Sequence, residues 1–153
     1  MSPSTLLFSL ILAAALTPTA AAAEKNEAVA REQTALNGRW VLVSIKGAGV
    51  RLTGEQLKGG SRGFVFLEGK AESFVGGEIR AAGTYSVDPA QSPKQIDISI
   101  APEGVEKREK VTGIYRLEDD RLTLCNRKPG GERPTEFTTD ETTMIAVFER
   151  RKD

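Results

Sequence analysis

The sequence has no histidine and only one cysteine among its 153 residues. Without histidine, the Ser-His-Asp and Cys-His catalytic arrangements are excluded, because both use an imidazole as the base that activates the nucleophile. The commonest zinc sites are excluded as well, since they combine several Cys and His ligands. The sequence therefore predicts no metal and no bound cofactor, and it disfavours an enzyme.

The single cysteine, Cys125, cannot form a disulfide within the chain. Two functional interpretations stay open: a reactive thiol, and a disulfide to another molecule. The alternative is a small side chain packed on a strand. That alternative is favoured because no obvious activating base lies near Cys125 in the sequence.

An excess of charge of one sign is also missing, since 21 basic residues balance 21 acidic ones. Nucleic acids and anionic lipid surfaces attract proteins through an excess of Lys and Arg. The sequence therefore predicts no nucleic-acid partner.

The main apolar run, Leu6 to Leu16, has 11 residues, whereas a membrane-spanning helix needs about 20. No membrane span is predicted. The run is typical of the core of a secretory signal, and Ala21 to Ala23 supplies the small residues that precede a cleavage site. The residues before the run lack the usual Lys or Arg. We predict a signal peptide over residues 1–23 and an exported, soluble protein, in a periplasm or outside the cell.

Residues 24–37 are predicted to form a short helix or a tether, because their composition is helical but their apolar stripe is thin. From Gly38 onward, short β-rich runs are cut by Gly, Pro and Asp about every 8 to 12 residues, a spacing typical of sandwiches and barrels. One helical turn is predicted in the segment "TGEQLKGG". The predicted strands are Arg39 to Lys46, Gly63 to Glu68, Ala71 to Val75, Glu78 to Val87, Gln95 to Ile100, Lys110 to Leu117, Arg121 to Asn126, and Met144 to Glu149.

Several of these strands are apolar on one face only. In "QIDISI", for example, three isoleucines alternate with Asp97 and Ser99. One-sided strands in hairpin order must close on themselves or find a partner sheet. We predict an all-β domain over residues 38–153, an eight-stranded antiparallel up-and-down barrel preceded by a short N-terminal helix.

A glycine followed two residues later by an aromatic recurs in "GRW", "GTYSVD" and "GIYRLE". Glycine weakens a strand unless the strand must bend or a neighbour must lie close. We therefore interpret the repeat as a strand that coils at the glycine, with the neighbouring aromatic ring filling the space that the missing side chain leaves.

Gly38-x-Trp40 after a short helical lead-in resembles the first signature of the lipocalin and fatty-acid-binding-protein superfamily. The resemblance implies a structural role for Gly38, a Trp that plugs the closed end of the barrel, and an Arg near the last strand that lies over the Trp ring. Arg150 is the matching position, with Arg151 as the second choice.

Four segments between Leu36 and Phe137 resemble a family of small exported domains of planctomycete bacteria: "LNGRWVLVS", "GTYSVDPAQSPKQIDISI", "GIYRLEDDRLTLC" and "PGGERPTEF". The resemblance implies a lipocalin-like (calycin) barrel and assigns no activity to it.

The loop "NRKPGGERPT" between the last two predicted strands is basic and stiffened by two prolines. Its Arg133 is a candidate for binding an anion such as a carboxylate or phosphate. The alternative is an arginine that clamps the barrel end or a glutamate such as Glu136. Tyr85 and Tyr115, from the repeated segments, are the other candidate ligand-binding residues.

A pair of carboxylates could hydrolyse glycosides, and Glu72, Glu78, Asp97 and Glu136 are the conceivable members. Solvated surface charges are favoured instead, because Asp97 lies on the polar face of its strand and the others lie near turns.

The favoured function is a non-enzymatic binder of a small apolar or amphipathic molecule inside the barrel. The alternative is a structural or protein-interaction module at the cell envelope, with a filled barrel. An empty apolar cavity of a few hundred Å³ favours the first, and a large exposed apolar patch favours the second.

Overall fold

The structure, a computed structural model, describes residues 19–57 and 61–152. The first 18 residues of the predicted signal peptide lie outside the described residues, as do residues 58–60. The elements are α1 (Ala20–Leu36), β1 (Gly38–Gly47), β2 (Val50–Thr53), α2 (Gly54–Leu57), β3 (Arg62–Leu67), β4 (Lys70–Val75), β5 (Glu78–Asp88), β6 (Lys94–Pro102), β7 (Glu109–Glu118), β8 (Arg121–Arg127) and β9 (Thr143–Arg151).

The predicted N-terminal helix is present, and it begins four residues earlier than the predicted start at residue 24. The Thr19 hydroxyl caps it by accepting a hydrogen bond from the backbone N–H of Ala22 at 3.4 Å. The alanines that follow Thr19 are the strongest helix formers, so the helix extends back to that cap.

The strands form an antiparallel barrel that closes through β1. One edge of β1 pairs with β9, and the other edge pairs with β3. From β3 to β9 each strand pairs with the next one along the chain. The predicted eight-stranded up-and-down barrel is therefore confirmed, and closure leaves these eight strands without a free edge.

β2 is an additional strand that the sequence did not predict. It pairs with the second half of β1, Ser44 to Gly47, on the edge where β3 has already separated from β1. The predicted helical turn directly after it is α2, where the Gln56 side chain accepts a hydrogen bond from the backbone N–H of Thr53 at 3.1 Å.

The main core lies inside the barrel. Its buried residues come from α1 and from all eight barrel strands: Leu36, Trp40, Phe66, Ala71, Tyr85, Val87, Ile96, Ile98, Tyr115, Leu122, Leu124, Ala146 and Phe148. A second, smaller core lies on the outer face of β7, β8 and β9, where Phe137 of the loop between β8 and β9 packs against Ile114, Cys125 and Ile145.

The repeated glycines mark close contacts between strands. A Cβ atom on Gly83 would lie 2.0 Å from the backbone oxygen of Ser99, and one on Gly113 would lie 2.7 Å from that of Cys125. Both distances are too short for any side chain, so β5 and β7 can approach their neighbours this closely only with glycine. The tyrosines two residues on are buried, as the sequence predicts.

Candidate functional site

One end of the barrel is closed by Trp40 and covered by α1. The indole is fully buried, and its Nε1–H donates to the backbone oxygen of Leu36 at 2.8 Å. The guanidinium of Arg150 lies over the ring, 4.3 Å from its centroid. The buried Trp40 ring and the Arg150 guanidinium therefore lie together at the closed end.

A second set of contacts holds α1 on the closed end. The Glu32 carboxylate accepts a hydrogen bond from the Tyr115 hydroxyl at 2.7 Å and pairs with the Lys94 ammonium at 2.5 Å. Burial and the hydrogen bond to Glu32 raise the pKa of Tyr115 well above its usual value. Tyr115 is therefore a neutral donor that anchors the helix.

Tyr85 lies in the same closed-end layer, with its ring centroid 4.7 Å from that of Phe66. Within the described part of the chain, its buried hydroxyl has no hydrogen bond of normal geometry. Burial raises the pKa of this hydroxyl, and the nearby backbone of Gly69 opposes the shift. Neither Tyr85 nor Tyr115 lines the cavity described next.

The opposite half of the barrel contains a cavity of about 330 Å³, which we call the open-end cavity. Its walls come from seven of the eight barrel strands, and most of the lining side chains are aliphatic or aromatic. The lining residues are Leu42, Ile45, Arg62, Gly63, Phe64, Ser73, Phe74, Val75, Ile98, Ile100, Val111, Leu124, Asn126, Met144, Ala146 and Phe148.

Two phenylalanines separate this cavity from the packed closed end. The Phe64 ring lies 5.8 Å from that of Phe148, and both line the cavity. Phe64 also stacks on Phe66 at 5.5 Å, and Phe66 is fully buried below it. The barrel is therefore filled on the Trp40 side and hollow on the other.

Arg62 lies at the mouth of the cavity. Strand residues alternate between the two faces of a sheet, so Arg62 shares the inward face of β3 with Phe64 and Phe66. Its partner on β4 is Val75, and both residues are exposed to solvent while they line the cavity. Arg62 is the only charged residue among the described lining residues.

Arg133 lies on the outside of the barrel, away from the cavity. Its guanidinium donates to the backbone oxygens of Ile96 at 3.2 Å and Gly113 at 2.8 Å. It also pairs with the Asp97 carboxylate at 2.8 Å. These contacts tie the loop after β8 to β6 and β7, which is the clamping arrangement that the sequence left open, with Asp97 in place of Glu136.

Cys125 is covered by the same loop. Its thiol is fully buried and donates to the backbone oxygens of Glu136 at 3.5 Å and Thr138 at 3.7 Å. Burial raises the pKa of the thiol, which lowers the population of the reactive thiolate. The cysteine is placed as a packed side chain of the outer core.

The four candidate carboxylates do not converge on the cavity. Asp97 is paired with Arg133, and Glu78 with the exposed Arg80 at 2.9 Å. Glu72 and Glu136 are exposed.

The structure thus brings together a different set of residues from the predicted one. Ligand binding by Arg133, Tyr85 and Tyr115 stays a prediction, and all three lie outside the open-end cavity. The alternation of Arg62 with the phenylalanines of β3 is visible in the sequence "RGFVF". A row of alternate residues that begins with an arginine and continues with two phenylalanines was therefore the sequence pattern that could have indicated the mouth of the cavity.

No protein-family model matches the chain, and no curated protein or solved structure matches it significantly. The closed eight-stranded antiparallel barrel is consistent with a calycin-like fold. None of the helices described in residues 19–57 and 61–152 has the length and apolar character needed to cross a membrane.

Proposed function

We propose that the barrel binds a small apolar or amphipathic molecule in the open-end cavity. The observation that carries this proposal is the volume of about 330 Å³, which lies at the lower end of the range of about 300 to 1,000 Å³ typical of small-molecule sites. Aliphatic and aromatic walls favour an apolar guest because burial removes its surface from water at little polar cost.

The size of the cavity limits the size of the guest. An apolar protein cavity of about 150 Å³ takes up benzene. The open-end cavity is about twice that volume, so a guest of roughly a dozen non-hydrogen atoms fits by the same measure.

Binding without catalysis is the role that the lining favours. Besides Arg62, its polar side chains are Ser73 and Asn126. Among the described lining residues there is no Asp, Glu, Lys or Cys to serve as a base or nucleophile. The proposal is therefore a carrier or storage barrel.

We further propose that the protein is exported and belongs to the planctomycete-type exported domains that its sequence resembles. Cleavage after Ala23 would remove the first turn of α1 and keep Glu32 and Leu36, which dock the helix on the closed end. The mass of the protein isolated from the cells that produce it tests the proposed cleavage and export. A chain of 130 residues is expected, and an uncleaved chain would refute the signal peptide.

A protein-interaction module is the second candidate, and one surface favours it. Ile79 and Val105 are exposed to 48% and 49%, and both line a groove beside Pro102 on the outside of the barrel. Exposed apolar side chains that lie together are typical of docking surfaces.

Native mass spectrometry of protein isolated from the cells that produce it tests the binding proposal. A bound small molecule is expected on the wild type and should be lost in Ala146→Phe, which fills the cavity. Thr84→Phe introduces a phenylalanine at an exposed position of β5 outside both the cavity and the groove, and should keep the adduct. A bare wild-type chain that also fails to take up added alkyl compounds would refute the proposal, and a protein adduct would favour the second candidate.

A further inference from the structure

We propose that a basic groove on the outside of the barrel binds an extended acidic peptide of a partner protein. The groove, which we call the outer groove, has a volume of about 610 Å³ and lies between the β1–β2 hairpin and the loop after β8. Its floor includes Ile145 and Val147 of β9, which belong to the outer core. The inference goes beyond the proposed function, because it concerns the outer face of the sheet and not the interior of the barrel.

The lining of the outer groove is rich in cations, although the chain as a whole carries no net charge. Among the described lining residues, the basic ones are Lys46, Arg51, Arg116 and Arg121, and the only acid is Glu118. A cleft lined mainly by charges of one sign attracts ligands of the opposite sign, whatever the net charge of the protein. The ligand that fits this lining is therefore an anion.

The positive charge is concentrated at Lys46 and Arg51, which are directly opposite each other in the pairing of β1 with β2. Like charges at such positions repel and destabilise the strand pair. Both side chains are exposed, and none of the ion pairs found among the described residues involves either one. A carboxylate between the two would remove the repulsion and stabilise β2, a strand of four residues that pairs with β1 alone.

Arg116 supplies a cation on the other side of the groove. It lies on β7, which is separated from β1 by β9 and β8, a distance of about 14 Å at about 4.8 Å per strand. Its pair with Glu118, at 3.5 Å, joins two side chains that are both more than half exposed, so the pair is weak. Arg121 contributes less, because Glu118 and Glu149 lie directly opposite it on the neighbouring strands. A ligand that contacts both sides is extended and carries at least two anionic groups.

The floor between the cations favours a peptide over other polyanions. Leu52, Ile145 and Val147 offer apolar surface there, which apolar residues between the acids of a peptide can cover. Single-stranded nucleic acids instead stack their bases on exposed aromatic rings. The one aromatic residue among the described lining residues is Phe137, and the Arg116 guanidinium lies over its ring at 5.0 Å.

The test measures, by fluorescence anisotropy, the binding of a labelled peptide of alternating glutamate and valine to the purified protein. A peptide of about seven residues is long enough to reach both sides of the groove at about 3.4 Å per residue. A matched peptide with glutamine in place of glutamate should bind at least tenfold more weakly, which is the scale of one hydrogen bond to a charged group. Raising the salt concentration should weaken binding of the acidic peptide.

Substitutions of Arg51 separate binding from folding. Arg51→Gln should weaken binding at least fivefold without lowering the melting temperature, because it removes a repulsion between β1 and β2. Arg51→Glu places opposite charges across the strand pair, so it should raise the melting temperature while it abolishes binding. Arg116→Gln should weaken binding about threefold, since it removes one exposed charge contact. Lys70→Gln, at an exposed position of β4 outside the groove, should bind as the wild type does.

Several outcomes would overturn the inference. Equal binding of the glutamate and glutamine peptides would show that the groove does not select anions. Wild-type affinity in Arg51→Gln would exclude the Lys46–Arg51 pair as the anion site, and a lowered melting temperature in that variant would give the pair a role in folding instead. Polygalacturonate that binds more tightly than the peptide and displaces it would replace the peptide by an acidic polysaccharide. Each of these results leaves the cavity untouched, so the proposed function is tested separately.

Discussion

The guanidinium of Arg150 lies 4.3 Å from the centroid of the Trp40 ring and so connects the last strand of the barrel to the first. The same group donates to the backbone oxygens of Ala35, at 2.6 Å, and Asn37 at the end of α1. It also pairs with Asp120 in the turn between β7 and β8 at 3.0 Å. One side chain therefore links the helix, the closing strand pair and a turn at the closed end.

Trp40→Ala should lower the free energy of unfolding by about 3 to 5 kcal/mol, because it empties a fully buried aromatic site. Trp40→Phe should cost less, since it keeps a ring in the closed end and loses the Nε1–H donor to Leu36 and only part of the buried volume. Denaturant unfolding of the three proteins measures both values. A loss below about 1 kcal/mol for Trp40→Ala would contradict the role of the indole as a plug.

Arg150→Ala should lower the free energy of unfolding by about 1 to 3 kcal/mol, from the lost stacking on Trp40 and from backbone oxygens left without a donor. Arg151 is the matched control, because it is the next residue and is exposed. Arg151→Ala should change the stability by less than about 0.5 kcal/mol. Equal effects of the two substitutions in thermal or denaturant unfolding would show that Arg150 contributes no more than a surface charge.

Arg133→Ala should lower stability by about 1 to 3 kcal/mol, because three hydrogen bonds of its guanidinium hold the loop onto β6 and β7. It should also speed the reaction of Cys125 with a thiol reagent, since the same loop covers that thiol. Lys128→Ala, in an exposed position of the loop, should change neither quantity.

The wild-type thiol is the reference for that experiment. Native protein should react slowly and unfolded protein fast, because burial both shields Cys125 and raises its pKa. An unchanged melting temperature and labelling rate in Arg133→Ala would contradict the clamping role. Loss of binding of an anionic ligand in that variant would then favour the ligand-binding prediction for Arg133.

The Asp140 carboxylate should make the protein sensitive to acid. Its pKa is lowered to about 2, because it accepts hydrogen bonds from the backbone N–H and hydroxyl of Thr142 and from the backbone N–H of Thr143. A pKa lower in the folded than in the unfolded chain contributes stability that is present above the unfolded value and is lost as pH falls through the folded value.

The stabilising effect of Asp140 should therefore decline between about pH 5 and pH 2. Unfolding midpoints of the wild type and Asp140→Asn, measured across this range, should differ at pH 7 and converge in acid. A difference that is constant with pH would show that the hydrogen bonds at Asp140 do not depend on its charge.

The strand pattern could be predicted from the sequence because alternation is a local property. The eight barrel strands and the burial of Trp40 depend on period-2 patterning and on turn residues, and both are visible in the chain. β2 was not predicted, since its four residues "VRLT" are mostly exposed and leave no apolar face to detect. The start of α1 was displaced because alanines assigned to the signal peptide are also good helix formers.

The cavity could not be predicted in the same way. Whether inward side chains of opposite strands meet or leave a gap depends on strand stagger and closure, which are set by the whole barrel. The isoleucines of β6 illustrate this. All three were predicted to share one face of the strand, and that prediction does not distinguish between them. In the barrel, Ile98 and Ile100 line the open-end cavity, whereas Ile96 packs in the main core outside the cavity lining.

The open-end cavity is tested most directly by a structure determined from crystals pressurised with xenon, which enters apolar cavities. We expect xenon in the open-end cavity, among Phe64, Ile100 and Ala146. We expect none in the layer around Trp40, where the side chains are buried. Side chains that meet across the barrel and leave no xenon site would contradict the cavity, and with it the proposed binding function.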